Sequence, residues 1–154
     1  LIVLSQAGED SGFAIDDLAN AIERVRADFG VVVLFDDEEH SLRNMVPGTG
    51  DDSCFGKQMQ LSRKGYSIAQ IQYPPDTPGG RRHYGTLVIL KTVLTDNLPP
   101  EIYSYKSTNS SFPHQSTADQ FFGEEQLEAY RELGYNLCFN MLHDSTEVHQ
   151  LLGK

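Results

Sequence analysis

The sequence predicts one α/β unit with a mixed sheet, and three observations predict it. Two continuous apolar runs, Leu1-Ile2-Val3-Leu4 and Val31-Val32-Val33-Leu34-Phe35, flank a stretch of helical period. Two more strand-like stretches are joined by a short Pro/Gly-rich turn. The composition is that of an ordinary globular chain, 39% hydrophobic and 22% charged over 154 residues, about the length of one domain.

The opening run is apolar and largely branched, the pattern of a strand covered on both faces, as in a parallel sheet. Such a strand requires neighbours on both sides. It is either a natural edge strand or part of an excerpt whose upstream portion supplies those neighbours, and the second is the expectation. Ala7-Gly8-Glu9-Asp10-Ser11-Gly12 then forms a turn-rich loop. Ile15, Leu18, Ile22, Val25 and Phe29 recur at three and four residues, giving a helix that Gly30 is suited to end. Val31 to Phe35 follows as a second buried strand, so residues 1–35 read as a βαβ unit with a right-handed crossover.

Residues 36–65 carry no period. The acidic run Asp36-Asp37-Glu38-Glu39 reads as a solvated loop. Tyr66, Ile68, Ile71 and Tyr73 mark a third strand, and HYGTLVILKTVL, residues 83–94, a fourth; the short link makes them an antiparallel hairpin, expected at the sheet edge. Asp96 to Pro100 opens a short helix over Glu101 to Lys106. Ser116 and Asp119 have capping-box spacing ahead of Phe121 and Phe122. A closing amphipathic helix places Leu127, Tyr130, Gly134, Leu137, Cys138 and Met141 on one face.

Charge narrows the function. With 22 acidic and 12 basic side chains, the formal net charge is −10, which repels phosphate backbones and anionic headgroups. Nucleic acid is not expected as a partner. Cys54 and Cys138 form no C-x-x-C pair, which excludes a zinc ribbon or redox dithiol; a disulfide between them is one reading, and buried free thiols in a reducing compartment are the expectation. No apolar run approaches the ~20 residues a membrane helix needs.

Catalytic signatures are largely missing. No serine stands in G-x-S-x-G, since Ser11 in Gly8-Glu9-Asp10-Ser11-Gly12 falls one place late. The five histidines never form H-E-x-x-H, and His143 and His149 read as exposed helix residues. The stretch from Gly50 to Lys57 has five residues between its glycines where a phosphate loop has four, and Gln58 replaces the magnesium-binding hydroxyl. The acidic run lacks the spacing of a calcium loop. No metal or cofactor is expected. One place remains on topological grounds, the carboxyl end of the first strand at Ser5-Gln6-Ala7-Gly8, where open α/β sheets gather ligands; a plain strand-to-helix turn is the other reading.

Three stretches together resemble a known family: Leu1 to Asp10 with Asp17-Leu18-Ala19-Asn20-Ala21-Ile22, Gly85 to Lys91, and Phe112-Pro113-His114-Gln115-Ser116-Thr117-Ala118-Asp119-Gln120-Phe121-Phe122 with Glu125 to Arg131. They resemble the C-terminal part of large bacterial patatin-like phospholipase proteins across nearly the whole chain, least over residues 36–65. The resemblance implies a three-layer α/β/α sheet with the first strand at its centre, and a Ser–Asp dyad encoded upstream of Leu1. No catalytic residue is then expected within residues 1–154, and the family's common Asp is Gln6 here.

What the resemblance implies about function is a lipid acyl hydrolase acting on lipid esters, with this chain joined to the upstream part of the same protein. The location implied is cytoplasmic, as a soluble domain of an inner-membrane protein. Ser5, Gln6 and Gly8 would border the pocket. For residues 112–122 there are two readings: a capped helix start whose phenylalanines fill the core, or His114 and Asp119 beside the substrate channel, where a histidine and a carboxylate can support proton transfer. The alternative from another class is a non-enzymatic interaction module on a related scaffold.

Overall fold

A computed structural model describes residues 1–10, 12–51, 59–116, 118 and 121–152. In chain order the elements are β1 (Ile2–Gln6), α1 (Asp16–Phe29), β2 (Val32–Leu34), a 3-10 turn (Leu42–Met45), β3 (Tyr66–Gln72), β4 (Tyr84–Lys91), α2 (Pro100–Thr108), α3 (Glu124–Asp144) and α4 (Thr146–Leu152).

The β3–β4 hairpin organises the sheet. Its strands are antiparallel, with Tyr66 opposite Leu90 and Gln72 opposite Tyr84. The sheet order is β1-β4-β3-β2, so the hairpin is central and not at the edge the sequence suggested. Alternation along the hairpin serves two faces. Ala69, Ile71, Leu87 and Ile89 pack with Leu18 of α1 and with Met45. Tyr66, Ile68 and Val88 pack with Met141 of α3 and with Val148. Helices therefore lie on both faces of the sheet, and a third cluster, including Ile102, Phe112 and Leu133, joins α2 to α3.

The βαβ expectation holds in a split form. β1 is parallel to β4, β4 is antiparallel to β3, and β3 is antiparallel to β2. β1 and β2 thus run the same way but stand at opposite edges, with the hairpin inserted between them. Helix α1 behaves as predicted: Gly30 ends it in the left-handed region at φ 66°, its amide returning to Arg26 and Val25 carbonyls.

β1 departs furthest from its sequence pattern. Among the described residues only β4 pairs with it, leaving Leu1, Ile2, Val3 and Leu4 exposed at 51%, 49%, 48% and 38%. Within the described residues it is an edge strand with apolar side chains on both faces. The closing helix also differs in detail. Its buried stripe is Ala129, Leu133, Leu137 and Met141, while Leu127 and Gly134 face outward. The stripe is set by α2 on one side and the hairpin on the other. Phe121 and Phe122 do not fill the core; Phe121 is 94% exposed, and Phe112 takes the buried position. Gly123 is the N-cap of α3, without a side-chain cap bond. Asp119 and Cys54 lie outside the described residues, so the capping box and any partner of Cys54 do too; Cys138 is a free, half-buried thiol. Among the described residues no helix is long and apolar enough to cross a membrane.

Candidate functional site

The carboxyl ends of β1 and β4 meet side by side, because the strands are parallel and Gln6 stands in register with Lys91. The apolar run of β4 ends in that lysine, whose side chain is wholly buried. Its Nζ lies 2.9 Å from Asp10 Oδ2 in the β1–α1 loop. The ammonium and the carboxylate form an ion pair that is almost wholly shielded from solvent. Nζ also stands 5.3 Å from the centre of the Phe13 ring, within cation–π range.

Asp10 does more than neutralise the lysine. Its Oδ1 accepts from the Ala14 amide at 2.7 Å and its Oδ2 from the Ile15 amide at 3.1 Å, while its carbonyl accepts from the Phe13 amide at 3.1 Å. One carboxylate therefore folds the loop that leads into α1. Burial acts to raise its pKa, but Lys91 and the two amides outweigh it and hold the carboxyl below the ordinary range. Phe13 and Ile15 sit at φ 50° and 49°, a region that non-glycine residues rarely adopt and β-branched ones least.

Gln6 Oε1, Thr92 Oγ1 and His114 Nδ1 are buried without a protein partner among the described residues. The Thr92 amide donates to the Gln6 carbonyl at 3.2 Å, tying the two strand ends together. His114 is half-buried after the cis Phe112–Pro113 bond. Its pKa is lowered, first by burial and then by the charge of Lys91, with Asp10 opposing and Lys106 adding. The ring is thus close enough to feel both members of the ion pair, and it is held neutral at pH 7.

Of the residues singled out from sequence, Gln6 and His114 come together around Lys91 and Asp10. Ser5 is exposed on β1 and Gly8 lies half-buried in the turn, with open space around its Cα. Asp119 lies outside the described residues. Sequence reasoning missed Asp10, Lys91 and Thr92. The available signal was a single lysine ending the apolar run Leu87 to Leu90, at a strand's carboxyl end.

A second polar group ties residues 36–45 to the sheet. The His40 ring bonds the Asp37 carboxylate, which falls below its ordinary pKa for that reason. The His40 carbonyl accepts from Ser67 Oγ at 2.5 Å and from the Ile68 amide at 3.2 Å. The neighbouring Tyr66 hydroxyl is buried, and its pKa is pushed up to about 12 by burial and by the charges of Asp144 and Glu39. Among the described residues no serine, threonine or cysteine side chain hydrogen-bonds a histidine ring, and no three His, Cys, Asp or Glu side chains are grouped as metal ligands. An apolar groove of about 670 Å³ runs between α1 and the sheet, bordered by Ile2, Leu4, Ile22, Val25 and Leu87.

No family model, curated protein or solved structure matches the chain.

Proposed function

We propose that this chain is part of a lipid acyl hydrolase of the patatin-like kind, its reacting serine and aspartate contributed by residues other than these 154. The observation that supports the reading best is β1. Four apolar residues on both faces, half-exposed, and a backbone edge unpaired among the described residues suit a strand inside a wider sheet. Its carboxyl end abuts a buried polar cluster at the position where open α/β sheets bind ligands. The stretches over residues 1–10 with 17–22, 85–91, and 112–122 with 125–131 favour the same family on sequence.

In this reading the serine attacks the ester carbonyl of a lipid and the aspartate accepts its proton. Backbone amides of a glycine-rich loop hold the oxyanion, and water then releases the acyl group. The present chain supplies sheet strands, covering helices and, through Ser5 to Gly8, part of the pocket rim. The protein would act as a cytoplasmic domain of an inner-membrane protein.

The test is ester hydrolysis and fluorophosphonate labelling by the complete gene product beside the 154-residue chain. Activity and labelling in the complete product with neither in the chain is the expected result. A labelled serine within these residues, or an inert complete product, overturns the reading. The inert result would favour an interaction module, which the exposed β1 edge also suits.

A further inference from the structure

We propose that Asp10 and Lys91 form a latch that fixes the β1–α1 loop in one conformation and so shapes the wall of the acyl pocket. This positioning role rests on the hydrolase reading above. The ion pair is an odd choice for stability alone. The Lys91 side chain is wholly buried, and the desolvation of such a pair offsets most of its Coulomb gain. An apolar side chain at the end of β4 would serve the core as well.

The pair instead selects a conformation. Asp10 links the end of β4 to the start of α1 in a single step, through Lys91 Nζ on one side and the Ala14 and Ile15 amides on the other. The loop it holds contains two non-glycine residues at positive φ, Phe13 and Ile15. Strained backbone persists only where its surroundings over-determine it, and it gathers at functional sites. Phe13, one of the strained residues, is also the ring beneath the lysine.

Location completes the case. The latch lies at the carboxyl ends of the parallel strands β1 and β4, where Gln6 stands in register with Lys91. Ser5 to Gly8 leads directly into it, so the path of that turn depends on where Asp10 is held.

The experiment compares Asp10→Asn, Lys91→Met, Lys91→Arg and the double variant Asp10→Asn/Lys91→Met with the wild type, all in the complete gene product. Arg131→Ala, on the exposed face of α3, is the control. Hydrogen exchange is read at the Ala14 and Ile15 amides. The rates kcat and KM are read for esters of short to long acyl chains, each normalised to fluorophosphonate-titrated sites so that misfolded protein drops out.

Asp10→Asn and Lys91→Met should raise exchange at both amides by about tenfold and shift the acyl-length preference. Lys91→Arg should retain most of both, and the control should change neither. The double variant leaves no unpaired buried charge, so it keeps the comparison available if Lys91→Met fails to fold. A merely structural role would lower the number of titrated sites and leave the preference per site unchanged; that result overturns the pocket role. Unchanged exchange in Asp10→Asn overturns the latch itself. A wild type that hydrolyses no ester overturns the hydrolase reading, and the pocket role with it.

Discussion

Val3 and Val88 are the same residue, stand opposite each other in register and belong to adjacent strands, yet Val3 is 48% exposed and Val88 is fully buried. The contrast extends over both strands. Leu87, Val88 and Ile89 are covered by α1 on one face and by α3 with α4 on the other, while Ile2, Val3 and Leu4 remain about half-exposed. The hairpin and the α2–α3 pair make a closed core. β1 and α1 make an open one, with Leu18 the only buried residue of α1. Apolar pattern states a preference for burial, and only a neighbouring element can satisfy it.

The largest effect should come from the closed side. Phe112 is buried between Tyr105 and Tyr130, with ring centroids at 5.1 Å and 4.9 Å. Phe112→Ala should cost about 3–5 kcal/mol in urea unfolding, whereas Phe29→Ala, on the open side, should stay within about 0.5 kcal/mol. Equal losses would break the contrast between the regions.

The valine pair sharpens it. Val88→Ala removes two buried carbons, about 1.6 kcal/mol of transfer plus a cavity, so about 2–3 kcal/mol in total. Val3→Ala should cost less than about 1 kcal/mol by the same measurement. If the two agree, β1 is covered in solution.

Glycines give a test of opposite signs. A Cβ on Gly65 would meet Leu137 Cδ2 at 2.4 Å, where the hairpin approaches α3, whereas one on Gly134 meets nothing within 4 Å. Gly65→Ala should destabilise by about 1–3 kcal/mol through overpacking. Gly134→Ala, on the solvent side of α3, should stabilise by up to about 1 kcal/mol through helix propensity. Thermal unfolding of both variants checks the pair of signs.

The smallest effect is a pH slope. The folded pKa of His114 is depressed, by burial first, so the unfolded chain binds the proton more readily. Its contribution is complete above the ordinary histidine value of about 6.5 and declines as pH falls below it. Asp10 has a depressed folded pKa, so its contribution is present above about pH 4 and is lost in acid. His114→Gln should flatten the first part of the acid limb and Asp10→Asn the second, read as unfolding free energy against pH.

Much of the fold was legible because local patterns carry it. Helix α1 and its Gly30 stop follow from a 3.6-residue period and one residue tolerant of positive φ. The hairpin follows from two branched, aromatic-rich stretches and a short turn. The closing helix was legible as a helix, but its buried stripe was not, since an apolar face wide enough for Leu127 and Tyr130 leaves its rotation open until α2 and the hairpin press on it. The candidate site was half legible. Strand ends drew attention to Gln6, and the Phe112 to Phe122 stretch drew attention to His114, whereas Lys91 and Asp10 are an ordinary lysine and an ordinary loop acid until the fold buries them together.

The sequence by itself determined which segments are helix and strand, and that a strand as apolar as Leu1 to Leu4 demands cover. Tertiary structure alone decided the order of the strands, the insertion of the hairpin between β1 and β2, and the meeting of Lys91 with Asp10. The physical reason is range. Period and turn chemistry act over a few residues, while strand order and charge pairing depend on which distant surfaces exclude water from one another.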